Sequence, residues 1–234
     1  GLENLHDFVQ QGGVFVTVNN TADFAIQYGF ASGVSANEAA RLHVVGSLLR
    51  SRIVDGASPI VYGVQDSLAL YSEDGQTFGI SSLRAGGRGF RGNAGAPTRA
   101  TGRGTADDPD VTPGMAPLDD RFLAPKTPKP EPWQAAPVSD DMLRNPVNVI
   151  PPDQRPRPVL RYADQKDLLV SGLLDGNDVA QRPVVVDVPL EKGHVVLFAN
   201  NPMYRGETIG SYFLVFNTIL NWDNLNAGRK LDAR

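Results

Sequence analysis

Two asparagines, a tyrosine and an arginine, Asn200, Asn201, Tyr204 and Arg205, crowd the bend in "KGHVVLFANNPMYRG", directly after an apolar run. Amides and a guanidinium hold ligands rather than cleave them, and an arginine just ahead of a helix N-terminus favours a carboxylate or phosphate. The bend is therefore the candidate ligand-binding site. The competing reading pairs Arg205 with an acidic side chain across an interface and leaves Asn200 or Asn201 to tie down the turn.

Sharper chemistry is not spelled elsewhere. The residues three places after His6, His43 and His194 are Val9, Gly46 and Leu197, so neither His-x-x-Glu nor His-Glu-x-x-His occurs, and the histidines read as ordinary surface or strand residues. No metal site and no catalytic residue are expected in this chain. There is no Gly-x-Ser-x-Gly nucleophile elbow. "GGRGFRG" lacks the flanking strand and helix of a phosphate loop, and no Gly-Lys-Ser/Thr follows it. Arg84, Arg88, Arg91, Arg99 and Arg103, with Phe90 among them, have the charge and stacking that attract RNA. Asp107, Asp108, Asp110, Asp119 and Asp120 follow closely, which favours a solvated, charge-balanced linker over a nucleic-acid partner.

The elements that must position the bend come from 234 residues, 41% of them hydrophobic and 8% aromatic, enough for one sizeable core in one or two domains. A net charge of -4 and a pI near 5.4 argue against a chain that binds nucleic acid over its whole length. The absence of cysteine removes disulfides, thiolate metal sites and a cysteine nucleophile, and fits either redox compartment. No apolar run approaches the ~20 residues of a membrane helix, so no membrane span is expected, and no signal peptide opens the chain. The opening "GLENLHDFVQQGG" has no initiator methionine and reads like the middle of a domain, which points to a fragment or processed product.

Leu2, Leu5, Phe8 and Val9 recur at helical spacing and Gly12-Gly13 supplies the stop, after which "VFVTV", Val14 to Val18, reads as a core strand. That strand is expected to lack a neighbour supplied by residues before Gly1, leaving an edge open to association. Ser35 to Leu42 is expected as a short helix with Ser35 as cap and Glu38 in capping-box position. "GSLLRSRIV" and "SLALYSEDGQTFGIS" read as strands, the second folding back at Asp74-Gly75. Residues 1–83 form the first part of an α/β domain, and 84–158, rich in glycine, arginine and proline, an insertion or linker that buries too little to be ordered. Residues 159–226 complete the domain and 227–234 are a tail. Val195 to Phe198 is apolar on both faces, as in a strand covered by helices on either side, and if that strand is parallel and central the bend lies at its ligand-binding carboxyl edge. Ile209, Tyr212, Phe213, Phe216, Ile219 and Leu220 form the apolar stripe of a final helix.

Taken together, "GLENLHDFVQQGGVFVTV", "GSLLRSRIVDGASPIVYGV", "LLVSGLLDG" and "VVVDVPLEKGHVVLFANNPMYRGETIGSYFLVFNTILNW" resemble the C-terminal region of bacterial secreted zinc carboxypeptidase-family proteins. There a class I glutamine amidotransferase-like domain of flavodoxin type follows the peptidase domain. The resemblance covers most of the chain outside the linker. It implies a flavodoxin-like three-layer α/β sandwich, incomplete at its N-terminus. It also implies a secreted or periplasmic location, the upstream peptidase domain as partner, and a peptide or cell-envelope ligand. Zinc is implied for that upstream domain and no cofactor for this chain. An amidotransferase would need a cysteine and a His-Pro-Glu after its late strand. Asn200-Asn201-Pro202 stands in place of the latter, and an amide cannot serve as the base that an imidazole supplies. The resemblance is thus to a non-catalytic accessory domain. The alternatives are a free-standing module for an anionic ligand or glycan, and an RNA-associated protein acting through the Arg/Gly segment.

Overall fold

The computed structural model describes residues 1–37, 43–44, 46–83, 149–176 and 178–229. The body of the arginine, glycine and proline segment expected as a linker, 84–148, lies outside the described residues, as do residues 38–42. Helices α1 (Leu2–Gln10) and α2 (Thr21–Gln27) flank strand β1 (Val14–Val18). Then follow β2 (Val34–Asn37), β3 (His43–Val44), β4 (Ser47–Ile53), a 3-10 turn (Pro59–Val61), β5 (Ser67–Ser72) and β6 (Thr77–Ile80). A second 3-10 turn (Pro152–Gln154) leads into β7 (Arg157–Tyr162), α3 (Gln165–Leu168), β8 (Leu169–Ser171), β9 (Leu174–Asp175), β10 (Pro183–Leu190), β11 (Gly193–Phe198) and α4 (Ile209–Leu220).

The fold is α/β around a mixed sheet in the order β1-β11-β10-β7-β4-β5, with β8 paired to β4. Parallel pairing joins β1 to β11, whereas β10–β11, β10–β7, β4–β7, β4–β5 and β4–β8 are antiparallel. β11 is therefore interior, as the bend requires, but parallel on one side only. All six of its residues are buried, which accounts for an unbroken apolar run where a half-exposed strand would alternate. β10 and β11 are joined by the two-residue turn Glu191-Lys192, with Glu191 at φ 54°. Gly193 follows because a Cβ there would stand 2.0 Å from the carbonyl oxygen of Val9 and 2.3 Å from that of Gly13. Only a bare backbone lets the end of α1 lie this close to the hairpin.

Several local expectations change partners in three dimensions. Ser35, read as a helix cap, is in β2 and pairs with Gly79 of β6. The chain does turn at Asp74-Gly75, but β5 pairs with β4 and β6 with β2, so the two flanking strands do not form a hairpin. Residues 149–158, expected within the linker, contribute a bridge between Val149 and Leu83, the buried Ile150 and the first residues of β7. The tail beyond 226 is also anchored, through Arg229.

Arg229 belongs to a buried charge cluster near the start of β11. Asp187, fully buried on β10, accepts from the ring Nδ1 side of His194 at 2.6 Å and from the Arg229 guanidinium at 3.0 Å. Arg157, opposite Asp187 on β7, donates to Asp55 at 2.7 Å and to the carbonyl oxygens of Leu225 and Ala227 at 3.3 and 3.0 Å. Burial lowers the pKa of Arg229, and Asp187 pulls it back up. Buried charges persist when paired and hydrogen bonded, and these pairs hold residues 225–229 against the sheet. His194 is thus a buried, aspartate-bound histidine of the framework.

The stripe of α4 is the largest surprise of packing. Ser211, Leu214 and Thr218 are its buried residues, and Asn217 ties it to the first 3-10 turn by donating to the carbonyl oxygens of Ile60 and Tyr62. Ile209, Phe213, Phe216, Ile219 and Leu220, with Trp222 just beyond, are between 46% and 76% exposed.

Candidate functional site

β1 and β11 end side by side; Asn19-Asn20 follows β1 directly, and Asn200-Asn201 follows β11 after Ala199. The Asn19 amide donates to the carbonyl of Phe198 at 2.9 Å, which carries the parallel ladder one residue past the strand, and Asn19 then enters the left-handed region at φ 48°. Asparagine tolerates that conformation better than most residues. Its side-chain Nδ2 donates to Glu73 Oε2 at 3.2 Å, so the segment after β5 closes over the same corner.

Tyr71, at the end of β5, stacks on Tyr204 with ring centres 3.9 Å apart and planes 1° from parallel. The Arg205 guanidinium lies 5.1 Å from the centre of the Tyr204 ring, within cation–π range. Arg205 itself is held at φ 43°, a conformation that costs energy for a non-glycine residue. The Tyr71 phenol is pushed up to about 12, first by its hydrogen bond with Tyr204, then by burial and by the nearby charges of Glu73 and Glu207.

Asn200 is fully buried, and neither its Oδ1 nor its Nδ2 has a hydrogen-bond partner among the described residues. The Oγ1 of Thr17, the Oδ1 of Asn19 and the Oε1 of Gln76 are likewise buried and unpartnered. An unmet buried polar atom costs about 1–3 kcal/mol, and Thr17, Asn19 and Asn200 carry theirs at the carboxyl ends of two paired strands, a place suited to water or a polar ligand. Asn201 has the humbler role foreseen for a turn asparagine: its Oδ1 accepts from the Met203 amide at 3.1 Å. The first turn of α4 is closed from within, since Ser211 Oγ bonds to the carbonyl oxygens of Pro202 and Thr208 and to the Thr208 hydroxyl.

Of the four expected residues, the structure brings Tyr204 and Arg205 into contact with each other. Asn200 is sealed beneath the strand edge and Asn201 is used up in the turn. Arg205 is exposed, and its guanidinium lies over the Tyr204 ring. The reading missed Asn19, Tyr71, Glu73 and Gln76. The repeated Asn-Asn after two apolar strands was the one signal available, because the approach of β5 has no local signature. Amides, phenols and exposed carboxylates can bind by hydrogen bonding and stacking. Among the described residues no imidazole stands at this corner, and no group of three or more His, Cys, Asp or Glu residues is placed to hold a metal ion. No described helix is long and apolar enough to cross a membrane.

No protein-family model and no curated protein matches the sequence. Two solved structures are similar in backbone. The β-galactosidase from Bacillus circulans sp. alkalophilus aligns over 94% of this chain and 20% of its own, at 9% identity and a TM-score of 0.41. The cytoplasmic protein STM3548 from Salmonella typhimurium aligns over 94% of this chain and 58% of its own, at 10% identity and a TM-score of 0.41. The chain thus spans less than two thirds of either.

Proposed function

We propose that this chain is a non-catalytic accessory domain of a zinc carboxypeptidase-like protein, and that it docks through the outer face of α4 onto the peptidase domain of that protein. The observation that carries this reading is the α4 surface. At roughly 200 Å² for a large side chain fully exposed, its six outward apolar residues present on the order of 700 Å², near the ~800 Å² per partner of a standard interface. The helix carries no charged residue, "IGSYFLVFNTIL", so nothing on it resists desolvation. The finer fold class, a flavodoxin-type amidotransferase-like domain, is part of the same proposal and draws on the parallel β1–β11 pair beside α1 and α2. Zinc in the peptidase domain and a secreted or periplasmic location come with it.

The test has two stages. The coding frame upstream of Gly1 is expected to encode a His-x-x-Glu peptidase domain, and a frame without one overturns the reading. In the joined protein, Phe213→Glu with Phe216→Glu is expected to release α4, seen as at least tenfold faster amide exchange there and a larger radius of gyration by X-ray scattering. Unchanged exchange would place the interface elsewhere. The second reading, a free-standing module for an anionic ligand or glycan, draws on Arg205 above Tyr204 and on the unpartnered amide of Asn200. The Arg/Gly segment behind the RNA reading lies outside the described residues.

A further inference from the structure

The atoms left unmet at the two strand ends define what would meet them. Asn200 is fully buried, and its Oδ1 and Nδ2 both lack a partner among the described residues. The Asn19 amide donates to the Phe198 carbonyl at 2.9 Å, which sets Asn19 against the same end, and its own Oδ1 is also buried and unpartnered. Glu73, which is exposed, accepts from Asn19 Nδ2 at 3.2 Å. All three lie by the carboxyl ends of a parallel strand pair, where open α/β sheets take their ligands.

A carboxamide offers an acceptor and an NH2 donor side by side. A carboxylate answers only the NH2, and an ammonium only the oxygen. A trans peptide group points its N–H and C=O to opposite sides, so it cannot meet both at once. Two neighbouring hydroxyls can, because each donates and accepts and the pair projects to one side. The charges favour the same class. The Tyr71 phenol is raised by its hydrogen bond with Tyr204, then by burial and by the charges of Glu73 and Glu207, so two carboxylates stand at this corner against the guanidinium of Arg205. They repel an anion, whereas a neutral polyol uses them as acceptors.

Reaching Asn200 requires movement, and the adjoining bend is built for it. Arg205 and Gly206 are both at positive φ, 43° and 77°, and a Cβ on Gly206 would meet nothing within 4 Å. A non-glycine residue held in that region costs energy that a second conformation can recover. One end of the bend is pinned, since Ser211 Oγ donates to the Pro202 carbonyl. Farther along, Tyr204 is held by its stack on Tyr71, and parting the two rings lets the bend swing about its pinned end.

We propose that this corner binds the vicinal diol of a sugar through the Asn200 carboxamide, admitted when residues 202–206 lift and Tyr204 leaves Tyr71. Asn19 and Glu73 extend the contact to a further hydroxyl. The inference rests on the free-standing ligand-module reading, within which it selects a glycan over an anion, and not on the peptidase reading.

The probe is the cyclohexanediol with adjacent trans hydroxyls, a mimic of a pyranose diol, titrated into 15N-labelled protein and followed at the Asn200 side-chain NH2. A saturable shift is expected there, and the ring-proton resonances of Tyr71 and Tyr204 are expected to move as the stack parts. The isomer with its hydroxyls on opposite ring carbons, acetate and acetamide are each expected to bind at least tenfold more weakly. Asn200→Leu is expected to abolish the response while unfolding no more easily than the parent, which separates lost binding from lost fold. Equal binding of the two diols, binding that survives in Asn200→Leu, or tyrosine rings unmoved at saturation overturns the proposal. Tighter binding of acetate or acetamide overturns the diol but keeps the ligand-module reading, and silence from all four compounds overturns both.

Discussion

Two buried polar clusters sit near opposite ends of β11, and they differ in which of their atoms are satisfied. Near its start, every carboxylate oxygen of Asp187 and Asp55 has a partner, His194 and Arg229 for the first, Arg157 and the Ala57 amide for the second, and only the donors Arg157 Nη2 and Arg229 Nε lack one among the described residues. Beyond its end, Asn200 lies fully buried with both amide atoms unpaired among the described residues, as are side-chain oxygens of Thr17 and Asn19 at the end of the paired strand. Burial alone therefore does not separate framework from site. Charged acceptors out of water must be paired for the fold to survive, whereas neutral amides can stay unpaired at a smaller cost and wait for a ligand or water.

That difference is open to attack from several sides. Asp187→Ala leaves His194 and Arg229 without their shared carboxylate, and is expected to cost about 3–5 kcal/mol of stability in guanidinium unfolding. A loss below 1 kcal/mol would mean that the charge cluster is not the stronger of the two. Adding Arg229→Met to Asp187→Ala is expected to recover part of that loss, roughly 1–2 kcal/mol, because a hydrophobic side chain replaces a stranded charge. Strict additivity of the two variants would show that they do not share an ion pair.

Asn200→Leu is expected to raise stability by about 1–3 kcal/mol, since it removes two unpaired buried polar atoms at similar volume. A cost of 3 kcal/mol would reveal that the amide is fully hydrogen bonded in solution. The Tyr71–Tyr204 pair offers a finer probe. With its folded value raised to about 12 from 10.0, Tyr71 holds its proton better folded than unfolded. Its contribution is then complete below pH 10 and is lost as the pH climbs toward 12. Tyr204→Phe, which removes the hydrogen bond, is expected to move the Tyr71 titration back toward 10, followed by absorbance near 295 nm. Phe213→Lys, remote from both clusters, is expected to stay within about 0.5 kcal/mol of the parent, and a larger loss would mean that the outer face of α4 is not free.

The candidate corner was partly legible because strand ends can be read locally: an apolar run stops and Asn200, Asn201, Tyr204 and Arg205 follow. Tyr71 and Glu73 were not legible as members. They come from the end of a strand at the far end of the sheet order and the turn after it, and no spacing within 67–77 records that this segment reaches Asn19 and Tyr204. The charge cluster escaped for the same reason. Asp187, His194 and Arg229 are unremarkable apart, and only the register of β10 on β11 together with the return of residues 225–229 makes them neighbours.

Local order follows from the chain alone. The spacing of Leu2, Leu5 and Val9, the β-branched run Val14–Val18 and the doubly apolar β11 specify their own backbone states through side-chain periodicity and propensity. The same periodicity marked α4 as amphipathic, but it could not say which side turns inward. The tertiary structure places Ser211, Leu214 and Thr218 inside. Small side chains allow close approach, and both hydroxyls find backbone acceptors, Thr218 at the Leu214 carbonyl and Ser211 at that of Pro202. Strand pairing is likewise a nonlocal choice: β5 and β6 leave a shared turn for different partners because pairing energy depends on which distant strand presents a matching edge and face.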